Sequence, residues 1–210
     1  MSIEIEIKLA FNDSVSASML EVLESILKRL ECNTQYSKKE LKNTYFDTPN
    51  FSLNNNKVAL RIRQYTTSQG VKVFIQTFKT AGRSVNGLSQ RGEWEWELPE
   101  NALNLSHLDE CEAWPKDIDT DNLVTVFETN FTRYVFDIDW GDSAIELVLD
   151  QGSILSNSKV EQIHEIELEL KQGNQLELSS LADALMEKLP LNTSDKSKAE
   201  RGFQLFKARK

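Results

Sequence analysis

The 210-residue sequence predicts a strand-dominated domain of the α+β class, with helices that flank the strands. Two observations support this prediction. Several segments alternate between apolar and charged residues with a period of two, which is typical of strands with one buried face. Other segments repeat apolar residues at spacings of three and four, which is typical of amphipathic helices. No low-complexity linker or repeat divides the chain, so we expect a single domain over residues 1–210.

The chain begins with a strand and a helix. In residues 3–9 isoleucine and leucine alternate with Glu4, Glu6 and Lys8, which predicts a strand. Apolar residues then recur at helical spacing behind an Asp/Ser N-cap candidate, which predicts a helix over about 14–31. Turn-forming residues follow a short aromatic run at 45–50, and an asparagine-rich loop comes next.

The middle of the chain predicts a meander of strands. We expect strands at 57–65, at 71–80 and at 91–98, with Gly70 and a loop at 82–90 between them. In the last of these strands the charged residues share one face and the tryptophans share the other. Residues 101–130 show no clear period, and short helices with a loop at Pro115 are expected there.

The C-terminal part predicts three more strands and two helices. The strands are expected at 131–139, 143–150 and 159–171, and the helices at 174–188 and 195–208. The total is about eight strands and three or more helices. This count favours one sheet with many antiparallel neighbours.

Composition excludes several classes of protein. The net charge of −9 argues against a nucleic-acid binder, and no apolar run approaches the roughly 18 residues of a membrane span. The N-terminus lacks a signal-peptide pattern, so we expect a cytoplasmic protein. For its oligomeric state we expect either a monomer or a homodimer. Two isolated cysteines and two histidines are too few for a convincing zinc site. Any metal should be a hard cation bound by carboxylates.

The charged faces of the strands are sorted by sign. Ordinary surface patterning intersperses the two signs, although a solvated strand face can also be charged without a function. Carboxylates concentrate on the first and last strands and basic residues on the strands between: Glu4, Glu6, Glu146, Asp150, Glu165, Glu167 and Glu169 against Arg61, Arg63, Lys79, Arg91 and Arg133. If the strands closed into a barrel with these faces inward, the interior would be a charged tunnel. Such a tunnel could hold a hard cation and a polyanion together.

Eight motifs, in this order, carry a resemblance to a known family. They are EIEIK at 4–8, YFDTP at 45–49, LRIR at 60–63, QTFK at 76–79, RGEWEWEL at 91–98, LVLDQG at 147–152, EIELEL at 165–170 and SKAERGF at 197–203. This set resembles the CYTH domain of the triphosphate tunnel metalloenzymes, and it is most similar to the bacterial inorganic triphosphatase branch. The resemblance covers essentially the whole chain.

The resemblance implies an eight-stranded antiparallel closed barrel whose tunnel binds triphosphate with one or two divalent ions, Mg²⁺ or Mn²⁺. Carried over by position, the metal ligands would be Glu4, Glu6, Asp150, Glu165 and Glu167. The substrate-binding residues would be Lys8, Arg61, Arg63, Lys79, Arg133 and Lys198. Glu4, Glu6 and Lys8 would be catalytic, with Lys8 beside the attacking water. Less closely matched are Glu93, Glu95, Arg91, Glu146, Glu169 and Arg201, and Glu93 and Glu95 could instead pair with the basic residues.

The activity that follows is metal-dependent hydrolysis of inorganic triphosphate to pyrophosphate and phosphate. The same family contains class IV adenylate cyclases and thiamine triphosphatases, which would share the metal and phosphate residues. A polyphosphate-binding module without catalysis is a further alternative. The first-strand carboxylates argue against that module, because they would repel a polyanion unless a metal were bound.

Overall fold

The structure is a computed structural model that describes residues 2–12 and 18–208. The strands are β1 (Ser2–Phe11), β2 (Tyr36–Asp47), β3 (Ala59–Thr66), β4 (Lys72–Lys79), β5 (Arg83–Val85), β6 (Leu88–Leu98), β7 (Val124–Trp140), β8 (Ser143–Ser156), β9 (Lys159–Gln172) and β10 (Leu191–Thr193). The helices are α1 (Met19–Arg29), α2 (Ser52–Asn55), α3 (Leu105–Asp109), α4 (Gln175–Met186) and α5 (Lys198–Lys207), with a short 3₁₀ turn at Thr120–Asn122.

Eight of the strands close into an antiparallel barrel. Their order is β1-β9-β8-β7-β2-β3-β4-β6, and β6 pairs with β1 to complete the circle. The closing strand β1 pairs with β6 through Ser2–Ile7 and with β9 through Glu6–Ala10. The short strands β10 and β5 extend the sheet beside β1 and β6. The predicted closed barrel with flanking helices is therefore confirmed.

The outer face of the barrel carries the main apolar core. Ile7 and Leu9 of β1 pack with the apolar faces of β7, β8 and β9 under α1 and α4. Burial of this surface is the main driving force for docking the two helices, and the polar residues of β1 consequently point inward. A separate apolar cluster surrounds Phe78 and Trp114, and Trp94 packs against it.

The helix α5 packs against β7, β8 and β9 at one end of the barrel. Its Phe203 meets Phe127 edge to face, at 5.1 Å between ring centroids, within a buried cluster that includes Tyr45 and Phe131. Ser197 and Glu200 form a reciprocal capping box at the start of the helix. The fixed N-terminus of α5 brings Lys198 to the barrel interior.

The sequence patterns miss one barrel strand and predict others too short. They predict no strand at β2, which begins at Tyr36. β7 begins at Val124 inside the region expected to be irregular, β6 begins at Leu88 and β8 continues to Ser156, beyond the predicted limits of 91 and 150. Residues 36–40 are exposed on both faces of their strand, so no apolar alternation marks them. Antiparallel pairing with β7 forms this part of β2. The first predicted helix begins at Met19, and its expected start at 14–17 lies outside the described residues.

None of the helices in the described part of the chain combines the length and the apolar character that a membrane-spanning helix requires.

Candidate active site

A cavity of about 450 Å³ lies inside the barrel and is lined largely by charged side chains. Seven carboxylates and seven cationic side chains face it: Glu4, Glu6, Glu93, Glu95, Glu146, Glu167 and Glu169 with Arg61, Arg63, Lys79, Arg91, Arg133, Lys171 and Lys198. The alternation of strand residues explains why these groups point inward while their neighbours pack outward. The described residues therefore enclose a charged cavity inside the barrel, referred to as the tunnel.

The two carboxylates of β1 are held by cations from β4 and β6. Lys79 Nζ lies 2.8 Å from both carboxylate oxygens of Glu4. The guanidinium of Arg91 bridges Glu4 and Glu6, at 2.8 Å from Nε to Glu4 Oε2 and 3.0 Å from Nη2 to Glu6 Oε1. Burial would raise the pKa of Glu4, but the charges and hydrogen bonds of Lys79 and Arg91 lower it to about 2. Glu4 is therefore ionised at neutral pH.

A second acidic group lies where β8 and β9 meet α5. Carboxylate oxygens of Asp150, Glu165 and Glu167 lie within 4.8 Å of one another. Lys198 Nζ contacts all three carboxylates, at 2.7 Å from Asp150 Oδ2 and 3.0 Å from Glu167 Oε1, with its shortest contact to Glu165. Arg133 forms a two-point contact with Asp150 at 2.8 and 2.7 Å and also reaches Glu167. This arrangement matches the bidentate geometry of strong arginine–carboxylate pairs.

The charges of this group keep Glu167 ionised. Burial favours the neutral acid, but the charges of Lys198, Lys8 and Arg133 together hold the pKa of Glu167 well below its ordinary value. Asp150 and Glu165 are almost completely buried behind the ammonium of Lys198.

Two cations of the cavity differ from the rest because they have no carboxylate partner. Among the described residues, no carboxylate lies within salt-bridge distance of Arg61 or Arg63, although both side chains face the cavity. Arg61 Nη1 donates to the Tyr45 hydroxyl at 3.3 Å, and its buried Nε has no acceptor. Arg63 Nε donates to Asn43 Oδ1 at 3.0 Å. Burial and the neighbouring charges of Arg61 and Arg133 lower the pKa of Arg63 to about 10, so that it stays protonated at neutral pH.

The structure thus brings together nearly all of the residues that the resemblance singled out. Three of them do not line this cavity: Lys8 opens into an adjoining one, and Asp150 and Glu165 are buried behind Lys198. Of the less closely matched residues, Arg91 binds both β1 carboxylates and Glu93 lies 3.1 Å from Lys79. Glu95 accepts from the Thr77 hydroxyl at 3.1 Å.

Sequence reasoning assigned no role to Tyr45, Asn43 or Lys171. Tyr45 and Asn43 share the inward face of β2 and hold the two arginines. Their matching parity was the available signal, but no strand was predicted over residues 36–47, so it was not recognised. Lys171 lies at the cavity beside Glu169 and Glu146, at 2.9 and 3.5 Å.

The carboxylates fit a hard divalent cation in chemical type. Glu4, Glu6 and Glu167 offer only oxygen ligands around one cavity, and oxygen ligands are what Mg²⁺ and Mn²⁺ prefer. The cluster of Asp150, Glu165 and Glu167 already converges on a cation, the Lys198 ammonium.

The fold and the site together define a class: closed antiparallel β-barrels whose interior is lined by opposed acidic and basic side chains. Comparison with known proteins agrees with this class. A curated protein of Haemophilus influenzae named inorganic triphosphatase is 34% identical over 207 residues, which cover 96% of this chain and 54% of that protein. The chain therefore spans about half the length of this curated relative.

Solved structures share the fold. A Hippeastrum protein, studied as an adenylyl cyclase and described as having a dominant triphosphatase activity, superposes with a TM-score of 0.68 at 23% identity, over 96% of this chain and 95% of that one. A protein of Pyrococcus horikoshii gives a TM-score of 0.62 at 20% identity, over 96% and 98% of the two chains. The CYTH domain model matches residues 2–203, and this chain belongs to the CYTH domain family.

Proposed function

We propose that this chain hydrolyses inorganic triphosphate to pyrophosphate and orthophosphate with the help of a divalent metal ion, Mg²⁺ or Mn²⁺. The observation that carries the proposal is the pair Arg61 and Arg63, two cavity arginines without a carboxylate partner among the described residues. A buried charge is costly unless an opposite charge or a full set of hydrogen bonds accompanies it. An anion bound against these guanidinium groups would supply both.

The anion that suits this cavity is a chain of phosphates. Planar guanidinium groups bind phosphate oxygens at two points, and Arg133, Lys79 and Lys198 continue the basic lining. The Haemophilus relative is named an inorganic triphosphatase, which supports triphosphate as the substrate. Lys79 and Lys198 are paired with carboxylates, and their ammonium groups could also donate hydrogen bonds to the phosphate oxygens of a bound anion.

The carboxylates explain why a metal would accompany the anion. A polyanion alone would be repelled by Glu4, Glu6 and Glu167, whereas a metal–phosphate complex would be attracted by both sets of side chains. We propose Glu4, Glu6 and Glu167 for one ion, and Asp150 and Glu165 with Glu167 for a second. Such an ion supplies Lewis acidity toward phosphate oxygens and toward water.

The residues of the chain would then perform positioning and charge stabilisation, which are the main demands of phosphoryl transfer. Arg61, Arg63 and Arg133 would bind the non-bridging oxygens and stabilise the charge that develops on the leaving pyrophosphate. Lys8 lies 3.4 Å from Glu167 and 3.8 Å from Glu6, so its ammonium can orient a water toward the terminal phosphorus. The water would attack in line as pyrophosphate leaves.

The test is phosphate release by the purified chain from triphosphate, ATP and thiamine triphosphate, each with Mg²⁺, with Mn²⁺ and with EDTA. We expect metal-dependent hydrolysis of triphosphate. Hydrolysis or cyclisation of organic triphosphates alone would instead support the adenylate cyclase or thiamine triphosphatase alternatives. Triphosphate binding in EDTA without hydrolysis under any condition would support the binding module.

Two variants connect the activity to this cavity. Glu4→Gln and Glu6→Gln should each abolish hydrolysis, and both variants should remain folded at the assay temperature. Glu110→Gln, at an exposed position, should change neither property. Full activity in both cavity variants would remove these carboxylates from the proposed site.

A further inference from the structure

A second cavity of about 390 Å³ adjoins the first along the barrel. Both cavities are lined by Glu6, Ala59, Lys79 and Arg91, and by residues at the N-terminus of α5. These four strand residues, which line both cavities, mark the boundary between them along the barrel, and we call this boundary the neck. Beyond the neck, the second cavity is bordered by the turn between β5 and β6, by the loop that follows α2 and by α5.

Four strands show that the cavities follow one another in a constant direction. On β1, Lys8 lines only the second cavity and Glu4 only the first, with Glu6 between them. On β6, Ser89 lines only the second and Glu93 only the first, with Arg91 between them. On β3 and β4 the residues at the neck are Ala59 and Lys79, and the residues that face only the first cavity include Arg61, Arg63 and Thr77. The unpartnered arginines therefore lie on the far side of the neck from Lys8.

Lys8 carries donors that the described residues leave unused. It is 4% exposed, yet its ammonium lies 3.4 and 3.8 Å from carboxylates and makes no hydrogen bond within the described part of the chain. The other ammonium groups of the site have contacts of 2.7–3.1 Å. Ser89 pairs directly with Glu6 across the two strands, and its hydroxyl makes no hydrogen bond among the described residues. The exposed Lys57 lies at the edge of the same cavity. The longer ion pairs of Lys8 with Glu167 and Glu6 leave its ammonium able to donate hydrogen bonds to an oxygen-rich anion in the cavity.

We propose that this second cavity is a separate orthophosphate site, which receives the phosphate released from the substrate while pyrophosphate is still bound by Arg61 and Arg63. This inference rests on the proposed hydrolysis. In an in-line displacement the nucleophile and the leaving group lie on opposite sides of the phosphorus. With the leaving pyrophosphate on the arginine side, water arrives from the Lys8 side.

The reaction balances with water as the only co-reactant. The bond between the water oxygen and the terminal phosphorus forms as the bond from that phosphorus to the bridging oxygen breaks, and the electron pair stays with pyrophosphate. The protons of the water remain on orthophosphate or pass to solvent. Inversion carries the phosphoryl group toward the second cavity, where Lys8, Ser89 and Lys57 can bind its oxygens.

The proposal predicts that both products bind at the same time. Orthophosphate is titrated into the protein by isothermal calorimetry with Mg²⁺, with and without saturating pyrophosphate. We expect orthophosphate to bind in both cases. Ser89→Leu places a larger apolar side chain in the second cavity. It should weaken orthophosphate binding by about tenfold or more, because the hydrogen bond from the serine hydroxyl to the charged anion is lost. Its matched control is Gln90→Leu on the opposite, exposed side of the same strand, which should have no effect.

A second pair of variants covers the case in which Ser89→Leu does not fold. Lys57→Gln should weaken orthophosphate binding several-fold, and Lys72→Gln, at an exposed position on β4, should not. Exclusion of orthophosphate by pyrophosphate in the unmodified protein would overturn the proposal, as would unchanged orthophosphate affinity in the Lys57 variant. Failure of the proposed function would look different: no phosphate would be released from triphosphate, whatever the orthophosphate titrations show.

Discussion

At the scale of single residues, the charge of the tunnel is unevenly compensated. Arg133 is paired with Asp150 and Glu167, whereas Arg63 lies near the charges of Arg61 and Arg133 and donates to the neutral Asn43 Oδ1. Folding therefore tolerates an unfavourable arrangement at Arg63, and binding of an anion would relieve it. Residues of this kind lower stability for the sake of function.

This difference predicts opposite effects of the same substitution at two arginines. Arg63→Met should raise the ligand-free free energy of unfolding by about 1 kcal/mol, or about 2–4 °C, because it removes a desolvated charge that lies beside two other cations. Arg133→Met should lower it by about 3 kcal/mol, because it leaves buried carboxylates with fewer partners. Both variants should lose triphosphate hydrolysis. Thermal unfolding without ligand measures the contrast, and destabilisation by Arg63→Met would contradict it.

Sequence parity identified which side chains face the tunnel, but it did not identify their neighbours. The inward direction of Glu4, Glu6, Arg91 and Glu93 followed from alternation alone and agrees with the structure. That Arg91 binds both β1 carboxylates depends on the register of β6 against β1, which pairs Glu4 with Arg91. Register across the barrel closure is a long-range property that no local pattern encodes.

At the scale of secondary-structure elements, α5 depends on a glycine. A Cβ on Gly202 would overlap the Phe127 ring, which packs directly against the helix. Alanine is the better helix former by about 1 kcal/mol, but overpacking of a well-filled contact costs about 1–3 kcal/mol. Close approach of the helix to β7 explains why glycine is present.

We therefore expect Gly202→Ala to lower the melting temperature and to reduce hydrolysis, since displacement of α5 would move Lys198 away from its carboxylates. Gln204→Ala, on the exposed side of the same helix, should leave both properties unchanged. The measurements are thermal unfolding and the rate of triphosphate hydrolysis. A more stable Gly202→Ala protein would show that helix propensity outweighs packing here.

The turn between β5 and β6, which borders the second cavity, is held by an acidic side chain. Asp195 Oδ1 accepts from the Ser84 hydroxyl at 2.7 Å and from the Gly87 amide at 2.9 Å. These hydrogen bonds, that from Ser84 foremost, lower the pKa of Asp195 below its ordinary value of 3.8. The turn is thus attached to the segment that precedes α5.

A group with a lowered pKa stabilises the folded state fully above its ordinary pKa, and the effect disappears as the pH falls through the folded value. Amide hydrogen exchange at residues 83–89 should therefore accelerate in Asp195→Ala relative to the unmodified protein at neutral pH. Well below pH 3.8 the two proteins should converge. Asp142→Ala, in a different turn, serves as the control, and equal exchange at neutral pH would contradict the prediction.

Burial of one face decided which strands could be predicted from the sequence. β1, β8 and β9 have one apolar face against α1 and α4, so alternation identified them. The first half of β2 has both faces exposed, and its strand conformation follows from pairing with β7. Patterns in a sequence report burial, and they miss backbone pairing that occurs without it.

At the scale of the whole molecule, the charge of the chain and the charge of its tunnel differ. The chain has a net charge of −9, but the first cavity is lined by equal numbers of carboxylates and cations. A balanced lining disfavours a free polyanion and a free divalent cation alike, because each would leave one set of side chains without compensation. It favours a complex of the two, whose charges nearly cancel.

This balance predicts strong positive coupling between metal and triphosphate. With Ca²⁺ in place of Mg²⁺ to suppress hydrolysis, metal alone and triphosphate with EDTA should each raise the melting temperature little. Together they should raise it by about 5–10 °C, the stabilisation expected when ligand exceeds its dissociation constant about 100-fold.

The coupling should depend on the β1 carboxylates. In the double variant Glu4→Gln/Glu6→Gln the tunnel has excess positive charge. Triphosphate with EDTA should therefore raise the melting temperature more than it does in the unmodified protein, and added metal should raise it little further. Glu97→Gln, an exposed residue on β6, should retain the coupling of the unmodified protein. Additive effects of metal and triphosphate in the unmodified protein would mean that the two bind independently, and the balanced lining would then have no role in selecting their complex.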